Sequence, residues 1–232
     1  MSAAKKLNAT KKEIILTATR MFLERGFTDT SVKLISDELG ISTGNLTFHY
    51  PTKEHLLAVL VKMLCDFQWR SMETVLDDGS SPLMALCLEL AAMTAICEEN
   101  PVSRDFYLSA YTHPMTLDII RVSDQKKAEK LFANYCSNWQ TMTFAEAETL
   151  VSGVEYTTLM NTPCSPPLDI RLSGALKAIL KIYGVPDSEV TPCIEKVLQM
   201  DYRRIGRQVL AQFTDYVHNV TEEQLENFLA NS

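Results

Sequence analysis

The stretch "GISTGNLTFHYPTKEHL", residues 40–56, decides the reading of this chain. It sets Gly, Ser, Thr and Asn beside aromatic residues and closes on Pro51. Gly40 supplies the positive φ that a tight turn needs, Ser42 is a natural N-cap, and Pro51 stops the helix that follows. Just upstream, Thr30 or Ser31 can open another short helix, with Val32, Ile35 and Leu39 facing inward. Two short helices joined by a Gly-containing turn form a helix-turn-helix. On a helical wheel with Leu46 inward, Tyr50 falls on nearly the same face. Gly44, Thr47 and Phe48 lie outside, with Thr43 and Asn45 at the flanks. Small and hydroxyl residues let a helix sit deep in a major groove and meet base edges. Aromatic and His residues at its border can touch sugar and phosphate. The alternative is an exposed turn of an unrelated bundle, with Phe48 packed on a neighbour.

Outward from this unit, apolar residues recur every three or four positions, with almost no period-2 alternation. Ile14, Ile15, Ala18, Met21 and Phe22 form the stripe of a first helix, capped by Asn8 or Thr10 and ended by Gly26. After Pro51, helices are expected near 53–77, 82–99, 101–111, 115–138, 143–161, 168–183, 188–218 and 221–230. Asn100-Pro101, His113-Pro114, "NTPCSPP" at 161–167 and Gly184-Val185-Pro186 mark the breaks. The fold class is all-α: a three-helix N-terminal domain over 1–53, then a larger helical regulatory and dimerisation domain over 54–232.

Residues 1–53 hold eight Lys or Arg against five acids, a net +3. The whole chain is −7, so the remainder carries −10. A basic end on an acidic body suits an end that attracts phosphate, although a solvated terminus gives the same count. No apolar run spans a bilayer and no secretory h-region is present, so a cytoplasmic protein is expected. The cysteines, at 65, 87, 97, 136, 164 and 193, form no CxxC pair. They read as reduced and mostly buried. No Gly-rich phosphate loop, metal-ligand spacing or nucleophile motif points to an enzyme, and neither metal nor cofactor is expected.

Residues 14–60 resemble the DNA-binding domain of the TetR (tetracycline-repressor-like) family. The resemblance rests on Ala18, Phe22, Gly26-Phe27, Thr30, Ile35, Gly40-Ile41-Ser42, Gly44, Leu46, His49-Tyr50 and Lys53-Glu54-Leu56. It implies that Thr43, Gly44 and Thr47 face the groove and that Asn45, Phe48 and His49 border it. Lys33 would reach the backbone or an edge base. Lys53 would meet a phosphate at a helix N-terminus, and Lys5, Lys6, Lys11 and Lys12 would follow the backbone or minor groove. Two positions depart from the family pattern: Thr47 stands where a Tyr is usual, and Ser36 where an Ala is usual.

The resemblance further implies a homodimer on a palindromic operator, formed by two late helices. The candidate residues here are Leu150, Val154, Leu172, Leu176 and Ile179. It also implies a small-molecule site among the middle helices. Phe67, Trp69, Met93, Phe106, Tyr107, Tyr111, His113, Tyr135, Trp139 and Tyr156 are the stock for a mostly apolar pocket, each of them equally at home in a plain core. The expected function is a transcriptional regulator, a repressor released from double-stranded DNA by an apolar or aromatic ligand. The alternative is a helical dimeric ligand-binding or interaction protein that binds DNA weakly or not at all. The tail, 186–232, could extend the dimer face or cap the body.

Overall fold

A computed structural model describes the backbone over residues 3–77 and 81–230, and the side chains over 10–71, 81–221 and 223–229. All regular structure among these residues is helical. The N-terminal domain comprises α1 (Ala3–Arg25), α2 (Val32–Leu39) and α3 (Thr43–His49). α1 begins ahead of the expected caps Asn8 and Thr10, because Ala3, Ala4, Lys5, Lys6 and Leu7 are all good helix formers. Lys5 and Lys6 lie outside the described side chains. The stripe Ile14, Ile15, Ala18, Met21 and Phe22 is buried. Gly26 ends α1 at φ 92°. The buried Thr30 hydroxyl donates to the Gly26 carbonyl at 2.7 Å, which fixes the entry to α2.

α4 (Lys53–Asp77) leads into the body, with α5 (Pro82–Glu99), α6 (Pro101–Thr112), α7 (Pro114–Leu131), α8 (Thr141–Leu159) and α9 (Leu168–Ile182). α5 is apolar around most of its circumference, Glu89 apart, as a helix packed by neighbours on several sides must be. It packs against α4, α6, α8, α9, α10 (Asp187–Gln199) and α11 (Tyr202–His218), while α12 (Glu222–Ala230) rests on α4. The acids that close α5 lie at the unfavourable end of its dipole, and arginines from α9 and α11 offset them. Glu98 pairs with Arg171 and Arg203, and Glu99 with Arg203 and Arg207.

Two expected helices are corrected. The one placed at 115–138 ends at Leu131. Phe132 turns inward and stacks on Tyr183 at 4.0 Å, and the chain proceeds by turns through Cys136 to Trp139. The helix placed at 188–218 is two helices, broken at Met200-Asp201, where the Asp201 carboxylate caps the Arg204 N–H. The tail caps the body, with α11 lying along α5 and its Gly206 against the Ala92 carbonyl. A Cβ at Gly206 would stand 2.8 Å from that oxygen. Gly206→Ala should therefore push the helices apart and cost about 1–3 kcal/mol, read as a lower urea midpoint; an unchanged midpoint would refute this tight crossing. Four cysteines are buried, Cys193 is half-buried and Cys164 exposed. The Cys193 and Cys87 sulfurs lie 3.7 Å apart, and the contact with Cys87 brings the Cys193 thiol down to about 7.

Candidate DNA-binding face and interior cavity

α3 is held at both ends and at its centre. The Ser42 hydroxyl accepts the Asn45 N–H at 3.1 Å, and Leu46 is fully buried beneath the helix. At its end, buried Tyr50 donates to the Lys11 carbonyl at 3.3 Å, tying α3 back to α1. Gly40, at φ 64°, bonds back to α2 and sets the turn between the two helices. Thr43, Gly44, Asn45 and Phe48 then stand outside. Phe48 is 74% exposed, and among the described residues its only ring neighbour is His49, edge-on at 5.4 Å. Thr47 is half-buried, and its hydroxyl donates to the Thr43 and Gly44 carbonyls. Lys33 is exposed on α2, its ammonium 2.7 Å from Asp37.

Lys53 opens α4, but in this structure it faces the turn after α1. Its ammonium donates to the Phe27 carbonyl at 2.7 Å and lies 3.9 Å from the centre of the Phe27 ring. Burial lowers its pKa below the usual lysine value. The same turn is gripped from α6: Asp105 accepts the Thr28 N–H at 2.8 Å and also the Thr28 hydroxyl, and His113 meets the Phe27 ring edge-on at 5.2 Å. The sequence reading missed Asp105, since nothing in a helical Asp reveals a partner 77 residues away.

The body encloses two adjoining chambers. One, about 50 Å³, lies among α4 to α9; the other, about 160 Å³, lies between α4, α5 and α11. Met93 and Tyr107 line both, Tyr111 lines the first, and Phe67 lines the second. The remaining candidates line neither chamber. Phe106 is buried against Tyr107 and Phe213. Trp69 carries Lys130 over its ring at 5.0 Å, and His113 packs on Phe27. Tyr135 donates to Glu189, Trp139 packs on Phe144 and Tyr183, and Tyr156 reaches Met160. These are satisfied by local packing, a demand that aromatic spacing alone does not distinguish from ligand contact.

The first chamber instead holds charge that the sequence reading did not single out. Glu89 on α5, Asp124 and Lys127 on α7, and Glu148 and Glu155 on α8 all line it. Lys127 sits 3.1 Å from Glu89 and 2.9 Å from Asp124. Burial works against its charge, but Asp124 and Glu89 more than offset this and hold it well above the usual lysine value. Tyr183 donates to Glu148, and Tyr111 to Glu155 at 2.9 Å. Burial pushes all three glutamic acids up, Glu148 to about 7.

Three of the five expected dimer residues are corrected. Leu172, Leu176 and Ile179 are buried within the protomer, with Leu176 and Ile179 lining the first chamber, so none of them can present an apolar surface to a second copy. Leu150 is 58% exposed and Val154 half-buried.

A capped, core-anchored helix with an open polar-aromatic face, set on a helical body, defines a helix-turn-helix protein. Residues 14–60 match the family described as "Bacterial regulatory proteins, tetR family". The chain is 32% identical over 87 residues to the HTH-type transcriptional repressor KstR2 of Mycolicibacterium smegmatis, covering 37% of this chain and 42% of that one. It is 30% identical over 104 residues to the HTH-type transcriptional regulator RutR of Escherichia coli K12, covering 43% and 44%. It thus spans less than half the length of these curated relatives. Among solved structures, a gamma-butyrolactone receptor (ArpA-like protein) is 17% identical with TM-score 0.44, covering 89% of this chain and 99% of that one.

Proposed function

We propose that this protein is a DNA-binding transcriptional regulator, a repressor that two copies carry onto a palindromic operator and that a small molecule in the body releases. The open face of α3 carries this reading: Thr43, Gly44, Asn45 and an uncovered Phe48 have no structural work where they stand. The relative named above as a repressor, KstR2, supports it. Residues 1–53 act as the DNA-binding domain and 54–232 as the regulatory and dimerisation domain, in the cytoplasm. The dimer face is the outer side of α8 and α9. Met142, Leu150 and Ile170 are exposed there, and Gly153 and Gly174 leave open space beside them.

Release requires that the ligand favour one placement of the α3 pair over another. α4, about 37 Å long, joins Lys53 at its start to the chamber residue Phe67. α6 offers a shorter path, with Asp105 on the turn after α1 and Tyr107 and Tyr111 on the chamber wall. Binding to a palindromic duplex should weaken linearly in log affinity against log salt, as phosphate neutralisation requires. The Lys53 ammonium gives one hydrogen bond to Phe27 and has two more to offer. Lys53→Ala should flatten the slope by about one and weaken all sequences alike. An unchanged slope alongside a lower melting temperature would restrict Lys53 to bracing the Phe27 turn.

A further inference from the structure

The two chambers together are a built site, and their chemistry is unlike that of a plain apolar pocket. In the first, four carboxyl groups stand around one ammonium, Lys127, which lies against Glu89 and Asp124. Arg121, the nearby guanidinium, donates from Nε to Ser152 at 2.9 Å. Among the described residues Glu155 has a tyrosine hydroxyl for a partner and no cation at ion-pair distance. A carboxyl group left like this in a dry interior is costly when ionised. A separate observation concerns Tyr107. It is 5% exposed and lines both chambers, and its hydroxyl has no hydrogen-bond partner among the described residues. No three acids converge as metal ligands among the described residues, so a bare cation is poorly served.

The second chamber is lined mainly by apolar side chains, among them Phe67, Ile205, Val209 and Phe213. At about 160 Å³ it matches the size of cavity that takes a benzene ring, about 150 Å³. Leu86, Glu89 and Met93 line both chambers, so the two adjoin across these side chains.

We propose that the paired chambers bind an organic ammonium ion, an arylalkylamine. Its ring fills the apolar chamber, and its ammonium group reaches past Tyr107 to Glu155 and Glu89 in the acidic one. This rests on the ligand-controlled reading above and names the ligand's class. Burial raises the Glu155 carboxyl well above the ordinary carboxylate range. A protonated Glu155 gives its proton to solvent on binding and leaves a carboxylate paired with the incoming ammonium. The other ionisable groups around this acid are Glu89 from α5, Tyr111 from α6, Arg121, Asp124 and Lys127 from α7, Glu148 from α8, and Tyr183 following α9.

Calorimetry on the full-length protein without DNA, using phenylbutylamine, phenylbutanol and phenylbutanoate, tests the idea. The amine should bind at least about tenfold more tightly than the alcohol, with proton release seen by comparing two buffers, and the acid should not bind. Glu155→Gln keeps the acceptor for Tyr111. It should abolish the amine's advantage while leaving alcohol binding within about twofold. Equal binding of amine and alcohol, preference for the acid, or no binding by any of the three would overturn the proposal. Operator release is measured separately by fluorescence anisotropy. An amine that binds and leaves DNA affinity unchanged would sink ligand control of the operator but not the site.

Discussion

Leu176→Glu is expected to unfold the protomer, and Leu150→Glu to split the proposed dimer while leaving the protomer folded. Both leucines lie on the two helices that the sequence assigns to dimerisation, but they face opposite ways. Leu176 is 2% exposed and lines the acidic chamber. A glutamate there would lose a packed side chain and add another carboxyl group beside Glu148 and Glu155. Large destabilisations arise from just such burial of unpaired charge, and about 4 kcal/mol or more is expected. Leu150 points outward, and a glutamate there meets only water in the separated protomer. Across a two-fold interface it would meet its own copy or a strip of apolar surface, and either is unfavourable. Light scattering should give the protomer mass for Leu150→Glu with the helical circular dichroism intact. Operator affinity should fall by about a hundredfold, because two linked heads gain their affinity from effective concentration. For Leu176→Glu the helical signal and melting temperature should fall together. A Leu150→Glu protein that stayed dimeric would remove the outer side of α8 and α9 as the interface.

That contrast shows where the sequence was legible. The N-terminal domain could be read almost residue by residue because its signals are local. Ser42 caps within three residues, Gly40 takes its positive φ where α2 ends, and the Leu46–Tyr50 pair follows helical period. Helix starts marked by Asn100-Pro101 and His113-Pro114 were equally plain. The break at Met200-Asp201 carries neither Gly nor Pro, and its Asp cap is weak against long apolar periodicity on both sides. The orientation of α9 was not legible at all. Leu172, Leu176 and Ile179 form an apolar stripe that suits an interface and a core equally well. Only the packing of α8, α5 and α10 around α9 decides between them. The site shows the same division. Face residues of α3 follow from the wheel, whereas Glu89, Asp124, Lys127, Glu148 and Glu155 come together from three helices and have no spacing in common. The aromatic stock was only a partial guide there: Phe67, Met93, Tyr107 and Tyr111 line the chambers, while the other rings complete local packing and the charged side chains give the first chamber its character.

The acidic chamber also sets the stability of the protein against pH. Glu148 is 3% exposed, accepts the Tyr183 hydroxyl, and has its carboxyl raised to about 7 by burial. In the unfolded chain the same group ionises near 4.5. Between these values the folded protein holds a proton that the unfolded chain has released, so the protonated acid favours folding. This contribution is full below about 4.5, declines as pH rises, and is gone above about 7. At about 1.36 kcal/mol per unit, the change across the window is on the order of 3 kcal/mol. Glu89 and Glu155, also raised by burial, act in the same direction. Glu54, Glu99 and Asp187 are lowered, so their contributions vary only below the ordinary carboxylate range and do not mask the trend. Cys193, at about 7, acts in the opposite direction and only above the window. Urea midpoints should therefore fall as pH is raised from about 5 to about 7.5. Glu148→Gln keeps an acceptor for Tyr183 and has no proton to lose. It should flatten the decline and raise the midpoint at the alkaline end. A wild-type midpoint that rose across this range would mean that Glu148 is ionised in the folded protein. The chamber would then hold its full negative charge even when empty.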